Sequence, residues 1–172
     1  MPADAVPADA AAGPPQGGVS PLGGQRPHAV GRVGAPLVID TNVALDLLVF
    51  KDASTTALWD ALQTGRVRWI ATRAMRDELE RVLGYPKLAA RIAFHQCDTS
   101  TVLAAMDGLC DQVADAPKAP VTCTDADDQK FIDLALAHRA QLLSKDHHIT
   151  RMRKRLAALG VSTSVTWNPV VV

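Results

Sequence analysis

What most constrains this chain is a repeated change of hydrophobic period. From Ala35 onward, short β-rich runs alternate with helical patterns. "PLVID" (36–40), "VRWIAT" (67–72) and "AQLLS" (140–144) read as buried strands, and "VSTSVTW" (161–167) is β-branched, alternating and suited to a last strand. Helical segments lie near 42–50, 53–64, 73–84, 86–96, 99–110, 127–138 and 147–159. Gly65, Gly84 and Gly160 sit where helices should stop. Strands separated by helices predict an α/β sandwich built on a central, mostly parallel sheet. No internal repeat interrupts the pattern.

Length and composition bound the rest. The 172 residues suffice for one ordinary domain with its own core. Residues 1–34 are mostly Ala, Pro and Gly, too poor in large apolar groups to offset the entropy of ordering, so they are expected to form a disordered leader. The folded domain is expected over 35–172. Lys plus Arg equals Asp plus Glu, and the net charge is zero. No global field marks a nucleic-acid binder, so a charged partner must be held by local patches. The three cysteines, Cys97, Cys110 and Cys123, form no C-x-x-C pair, which argues against a disulfide framework and a zinc site. No apolar run approaches a membrane span, and the N-terminus lacks the basic start and apolar core of a secretion signal. A soluble, cytoplasmic protein is expected.

Several acids stand where strands end or where helices carry their apolar stripe. In "PLVIDTN" the run Leu37-Val38-Ile39 stops at Asp40, followed by Thr41 and Asn42. Asp40 is either a cap for the next helix or a ligand. In "TRAMRDELERVL" (72–83), Met75, Leu79, Val82 and Leu83 form the buried stripe. At about 100° per residue, Glu78 falls roughly 60° from Met75, beside that stripe, whereas Asp77 and Glu80 point away. A surface pair with Arg81 is the plainer reading of Glu78. In "TDADDQKFIDLALAH" (124–138), Thr124 or Asp125 can cap the helix, and acids in the first turn suit its dipole. Asp128 heads the stripe of Phe131, Ile132 and Ala135, a costly place for a charge unless it is paired or stays wet at a frayed helix start. In "QLLSKDHHI" (141–149) a strand again ends in a hydroxyl and an acid, Ser144 and Asp146.

In a parallel sheet the C-terminal strand ends share one side, and sites form there. Asp40, Glu78, Asp128 and Asp146 can all reach that rim. Crowded carboxylates repel and are tolerated when a hard divalent cation neutralises them. Such an ion activates water for in-line displacement at phosphate, so the predicted chemistry is phosphodiester hydrolysis.

Together, "VIDTNVALDLL", "MRDELERVLGYPKL", "TDADDQKFIDLALA" and "LLSKDHHI" resemble the PIN domain, and more narrowly its bacterial branch of toxin–antitoxin ribonucleases. The resemblance covers about residues 36–169. It implies a three-layer α/β/α sandwich and Mg²⁺- or Mn²⁺-dependent cleavage of single-stranded RNA. It implies metal-binding catalytic roles for Asp40, Glu78, Asp128 and Asp146. Thr41, Asn42 and Ser144 match its supporting polar positions, and Asp125 can join through water. A cognate antitoxin and a homodimer are the partners it suggests.

Other features have two readings each. His147 and His148 are either exposed at a helix start or available to a metal or proton. "RMRKR" (151–155) is either a solvated face or a surface for RNA phosphates or an acidic antitoxin. Arg66, Arg68, Arg73 and Arg76 form a second basic region around Trp69, which is either core or a stacking platform. No Walker loop or G-x-G-x-x-G occurs. A phosphatase or receiver using Asp40 as nucleophile competes with the nuclease reading, but Asn42 replaces the second acid of D-x-D, and Lys145 is too near Asp146 for a receiver. A non-enzymatic PIN-like scaffold is the third possibility.

Overall fold

A computed structural model describes residues 33–169. The expected leader, 1–34, lies outside the described residues except for Val33 and Gly34. Strand β1 (Ala35–Ile39) leads into helix α1 (Thr41–Leu45), which widens into a π-helical turn over Asp46–Phe50. Then come α2 (Thr56–Gln63), β2 (Val67–Thr72), α3 (Arg73–Leu83), α4 (Pro86–Phe94), α5 (Thr99–Leu109) and β3 (Cys110–Val113). After a long irregular stretch the chain forms α6 (Gln129–His138), β4 (Gln141–Leu143), α7 (His147–Thr150), α8 (Arg153–Ala158) and β5 (Thr163–Ser164).

The five strands form one parallel sheet in the order β3-β2-β1-β4-β5. Leu37 pairs with Trp69 on one side and Gln141 on the other, and Ile39 pairs with Leu143. Leu37, Val38 and Ile39 are all buried although their side chains alternate between faces. Consecutive burial means that both faces are covered, which is the α/β/α arrangement. Gly34 sets the start of β1, because a Cβ there would lie 2.6 Å from the Gly65 carbonyl oxygen.

Four expectations needed adjustment. Strand β3 lies in a segment read as the end of a helix and the loop after it. As an edge strand with polar Asp111 and Gln112, it needs no apolar run. The helix expected over 147–159 is two short ones, with Met152 buried at the joint. Helix α6 begins at Gln129, so Asp128 occupies the N-cap position in place of Thr124 or Asp125. The last strand is confined to Thr163–Ser164, the residues that pair with β4.

The strand order places a switch at the centre. From β1 the chain builds outward through β2 and β3, then returns to the other side of β1 for β4 and β5. The connections leaving β1 and β4 therefore diverge at their C-terminal ends, which is where sheets of this kind place a crevice.

Candidate active site

Asp40 stands at that crevice, one residue past β1. Its N–H donates to the Leu143 carbonyl at 2.9 Å, so the backbone stays locked to β4 beyond the last paired residue. Its Oδ1 accepts from the Val43 N–H at 2.9 Å and caps α1. Its Oδ2 accepts from the Ser144 hydroxyl. Asp40 is only 3% exposed, and burial pushes its carboxyl above the ordinary range despite these bonds. Ser144, fully buried at the end of β4, also accepts from the Asp146 N–H at 3.0 Å. One hydroxyl thus fixes both strand ends. Asp146 repeats the capping logic, its Oδ1 accepting from the His148 N–H at 2.7 Å at the start of α7.

Asp128 comes to the same place from α6. Its side chain does not cap its own helix, and its Oδ2 is buried without a hydrogen-bond partner. Desolvation first, and then the negative charges of Asp146, Asp125 and Asp40, raise its pKa to about 7. The site therefore gathers Asp40, Asp128 and Asp146, with half-buried Asp125 within electrostatic reach.

Glu78 reaches the rim differently. Its Oε1 accepts from the Thr41 hydroxyl at 2.6 Å, which ties α3 to the residue after Asp40. Its Oε2 forms an ion pair with the Lys130 ammonium rather than with Arg81. Thr41 is thus a direct support of an acid, as Ser144 is. Asn42 is exposed and lies outside this network. Lys130 was not singled out by sequence reasoning. Its partner is 52 positions away, and no local pattern signals a lysine whose partner lies on another helix. The same holds for Lys145, which meets Asp46 at 2.5 Å across the crevice mouth.

The tempting features resolve clearly. Trp69 is 1% exposed and belongs to the core. Of the basic region around it, Arg68 faces Asp111, Arg73 pairs with Asp77, and Arg76 makes two hydrogen bonds to Asp107. His147 is exposed, whereas the His148 ring contacts the Thr124 hydroxyl at 2.7 Å. All three cysteines are free. No described helix is long and apolar enough to cross a membrane.

The donors offered here are carboxylate oxygens, the set that Mg²⁺ and Mn²⁺ prefer. Among the described residues, no group of three or more His, Cys, Asp or Glu side chains is already arranged to hold a metal ion. Mg²⁺ does not need one, because it keeps several waters and is held by one or two carboxylates. The buried, partnerless oxygen of Asp128 beside two more acids is what such an ion would satisfy. The arrangement is a three-layer α/β/α fold with acids gathered at the switch point of its parallel sheet. A family model for the PIN domain matches residues 36–148, well over half of the chain, and the protein belongs to the PIN domain family. PIN domains are generally metal-dependent nucleases. No curated protein matches the chain.

Proposed function

We propose that this protein is a Mg²⁺- or Mn²⁺-dependent endoribonuclease that hydrolyses phosphodiester bonds of single-stranded RNA. The observation that carries the reading is the meeting of Asp40, Asp128 and Asp146 at the ends of β1, α6 and β4, with a buried Asp128 oxygen that has no donor. Asp40, Asp128 and Asp146 would hold the ion, and Glu78 supports the rim through Thr41. A bound divalent ion supplies an activated water and charge stabilisation at the phosphate. The chain's own part is geometric. Ser144 and the Val43 N–H hold the Asp40 carboxylate in one orientation, and the His148 N–H holds that of Asp146. The Asp128 proton must leave before its carboxylate can serve as a ligand.

The competing use of Asp40 as a nucleophile is disfavoured, since Lys145, the cation such a site would need, is taken by Asp46, and Asn42 stands where a second acid would be required. A role as the toxin of a type II toxin–antitoxin pair, with an antitoxin partner, rests on sequence resemblance. A small DNA-binding protein encoded next to this chain would support it.

Purified protein should cleave single-stranded RNA with Mn²⁺ or Mg²⁺ and stop in EDTA. Asp40→Asn and Asp146→Asn should each lower the rate by at least about 100-fold, the scale expected when one element of an electrostatic site is lost. Full metal-dependent activity in both variants would show that the catalytic assignment is wrong. RNA binding without cleavage would favour the scaffold reading.

A further inference from the structure

The four acids divide into two electrostatically different halves. Around Asp40, Asp128 and Asp146 the fixed hydrogen-bond donors are neutral: the Val43 and His148 N–H groups and the Ser144 hydroxyl. The nearby ammonium of Lys145 is paired with Asp46. Glu78, in contrast, already has a cation. Its Oε1 accepts from the Thr41 hydroxyl, and its Oε2 is ion-paired with Lys130.

Lys130 is not a loose surface lysine. It sits in the first turn of α6, two residues after Asp128, and its ammonium also donates to the Asp127 carbonyl. The same ammonium lies 5.0 Å from the centroid of the Phe131 ring. Its side chain is 25% exposed and that of Glu78 only 13%. A carboxylate this buried needs a counter-charge, and one supplied by a tethered side chain costs little additional ordering. A divalent ion placed at Glu78 would face that ammonium at close range, which is unfavourable between like charges.

We propose that Lys130 is a built-in second cation. Its ammonium supplies at Glu78 the positive charge that a second divalent ion would otherwise have to supply, so each chain binds a single divalent ion, at Asp40, Asp128 and Asp146. The proposal rests on the metal-dependent reading above. Lys130 is then a positioning residue. It fixes Glu78, and through Thr41 it ties α3 to the strand end that carries Asp40. An ammonium cannot acidify a water as a metal ion does, so water activation is left to the single ion.

Metal stoichiometry tests this without measuring activity. Mn²⁺ is titrated into the full-length protein and counted from the EPR signal of the free ion and by calorimetry. The wild type should bind one equivalent, and Lys130→Arg should also bind one. Lys130→Met should bind two. It should also unfold at lower temperature than wild type in EDTA and recover when Mn²⁺ is added. The double variant Lys130→Met/Glu78→Gln should return to one equivalent. Two equivalents in the wild type would overturn the proposal while leaving the metal-dependent reading intact. A folded Lys130→Met that still binds one would do the same. If Lys130→Met does not fold, the wild-type count decides alone. A wild type that binds no Mn²⁺ would overturn both.

Discussion

Asp40 has two roles at once. It caps α1 through the Val43 N–H, and it is a buried acid joined to the end of β4 through Ser144. Capping requires a short polar side chain in extended backbone, and the end of a buried strand provides that backbone. One residue can therefore satisfy helix start and site together, which is why its sequence context alone leaves both readings open. Asp128 carries a different consequence. Its carboxyl is raised to about 7 in the fold, against about 3.9 for an unfolded aspartate. Between those values the native state holds a proton that the unfolded state has lost. Stability must then fall as pH rises through this window, and Asp40, also raised, acts in the same direction. Asp52 and Asp98, whose values are lowered, act only below about pH 4 and do not interfere. Metal-free protein in EDTA should therefore melt at a higher temperature at pH 5 than at pH 8. Asp128→Asn should flatten most of that slope. An equally steep slope in the variant would exclude Asp128 as its source.

At the scale of elements, the irregular stretch between β3 and α6 has to deliver Asp125 and Asp128 to the crevice without strand or helix pairing of its own. Gln129 holds it. Its Oε1 accepts from the Cys123 N–H at 2.7 Å, and its Nε2 donates to the Val121 carbonyl at 3.0 Å and to Asp133 at 2.7 Å. Asp133 in turn accepts from the Ala119 N–H at 2.8 Å. Gln129→Ala would strand a backbone N–H and a carbonyl in a half-buried place, at a cost of about 1–3 kcal/mol. A lower urea midpoint is expected, together with weaker Mn²⁺ binding, because Asp128 would lose its fixed position. A variant unchanged in both would show that the stretch is held by packing alone. The same scale shows what periodicity can reveal. The face test on α3 placed Glu78 beside the buried stripe, and it is half-buried there while Asp77 and Glu80 are exposed. The test could not find its partner, because Lys130 arrives from another helix. Strand β3 escaped for a related reason, since an edge strand draws its pairing from Trp69 through Thr72 and not from its own composition.

For the whole molecule, a net charge of zero conceals an uneven distribution. Arg68, Arg73 and Arg76 each pair with a nearby acid, whereas exposed Arg66 is in none of the described ion pairs and lies over the Trp167 ring, 5.6 Å from its centroid. Arg151, Arg153, Lys154 and Arg155 are exposed, and none of the described ion pairs uses them. If the ribonuclease reading proposed above holds, this basic surface, which begins five residues after Asp146 in the sequence, is where the RNA backbone is expected to run. Each phosphate contact on a single strand should contribute about −0.7 to the slope of log affinity against log salt. Replacing Arg153, Lys154 and Arg155 by alanine should make that slope shallower by up to about 2, with little change in melting temperature. Filter-binding at several salt concentrations measures it, and an unaltered slope would move the RNA path elsewhere.

The sequence by itself determined the alternation of buried strands and helices, the parallel α/β class, and the four acids that stand at strand ends or beside apolar stripes. These are local properties, set by period, capping chemistry and the cost of burying a charge. Only the tertiary structure decided that β1 and β4 are neighbours, so that Ser144 bridges Asp40 and the backbone of Asp146. Only it decided that Asp128 is left with an unsatisfied oxygen while Glu78 is given Lys130. Those outcomes depend on strand order and on which helix faces which, through contacts between residues from 37 to 104 positions apart. Over such separations no short-range pattern specifies a partner, because the pairing becomes favourable only once the whole sheet has assembled.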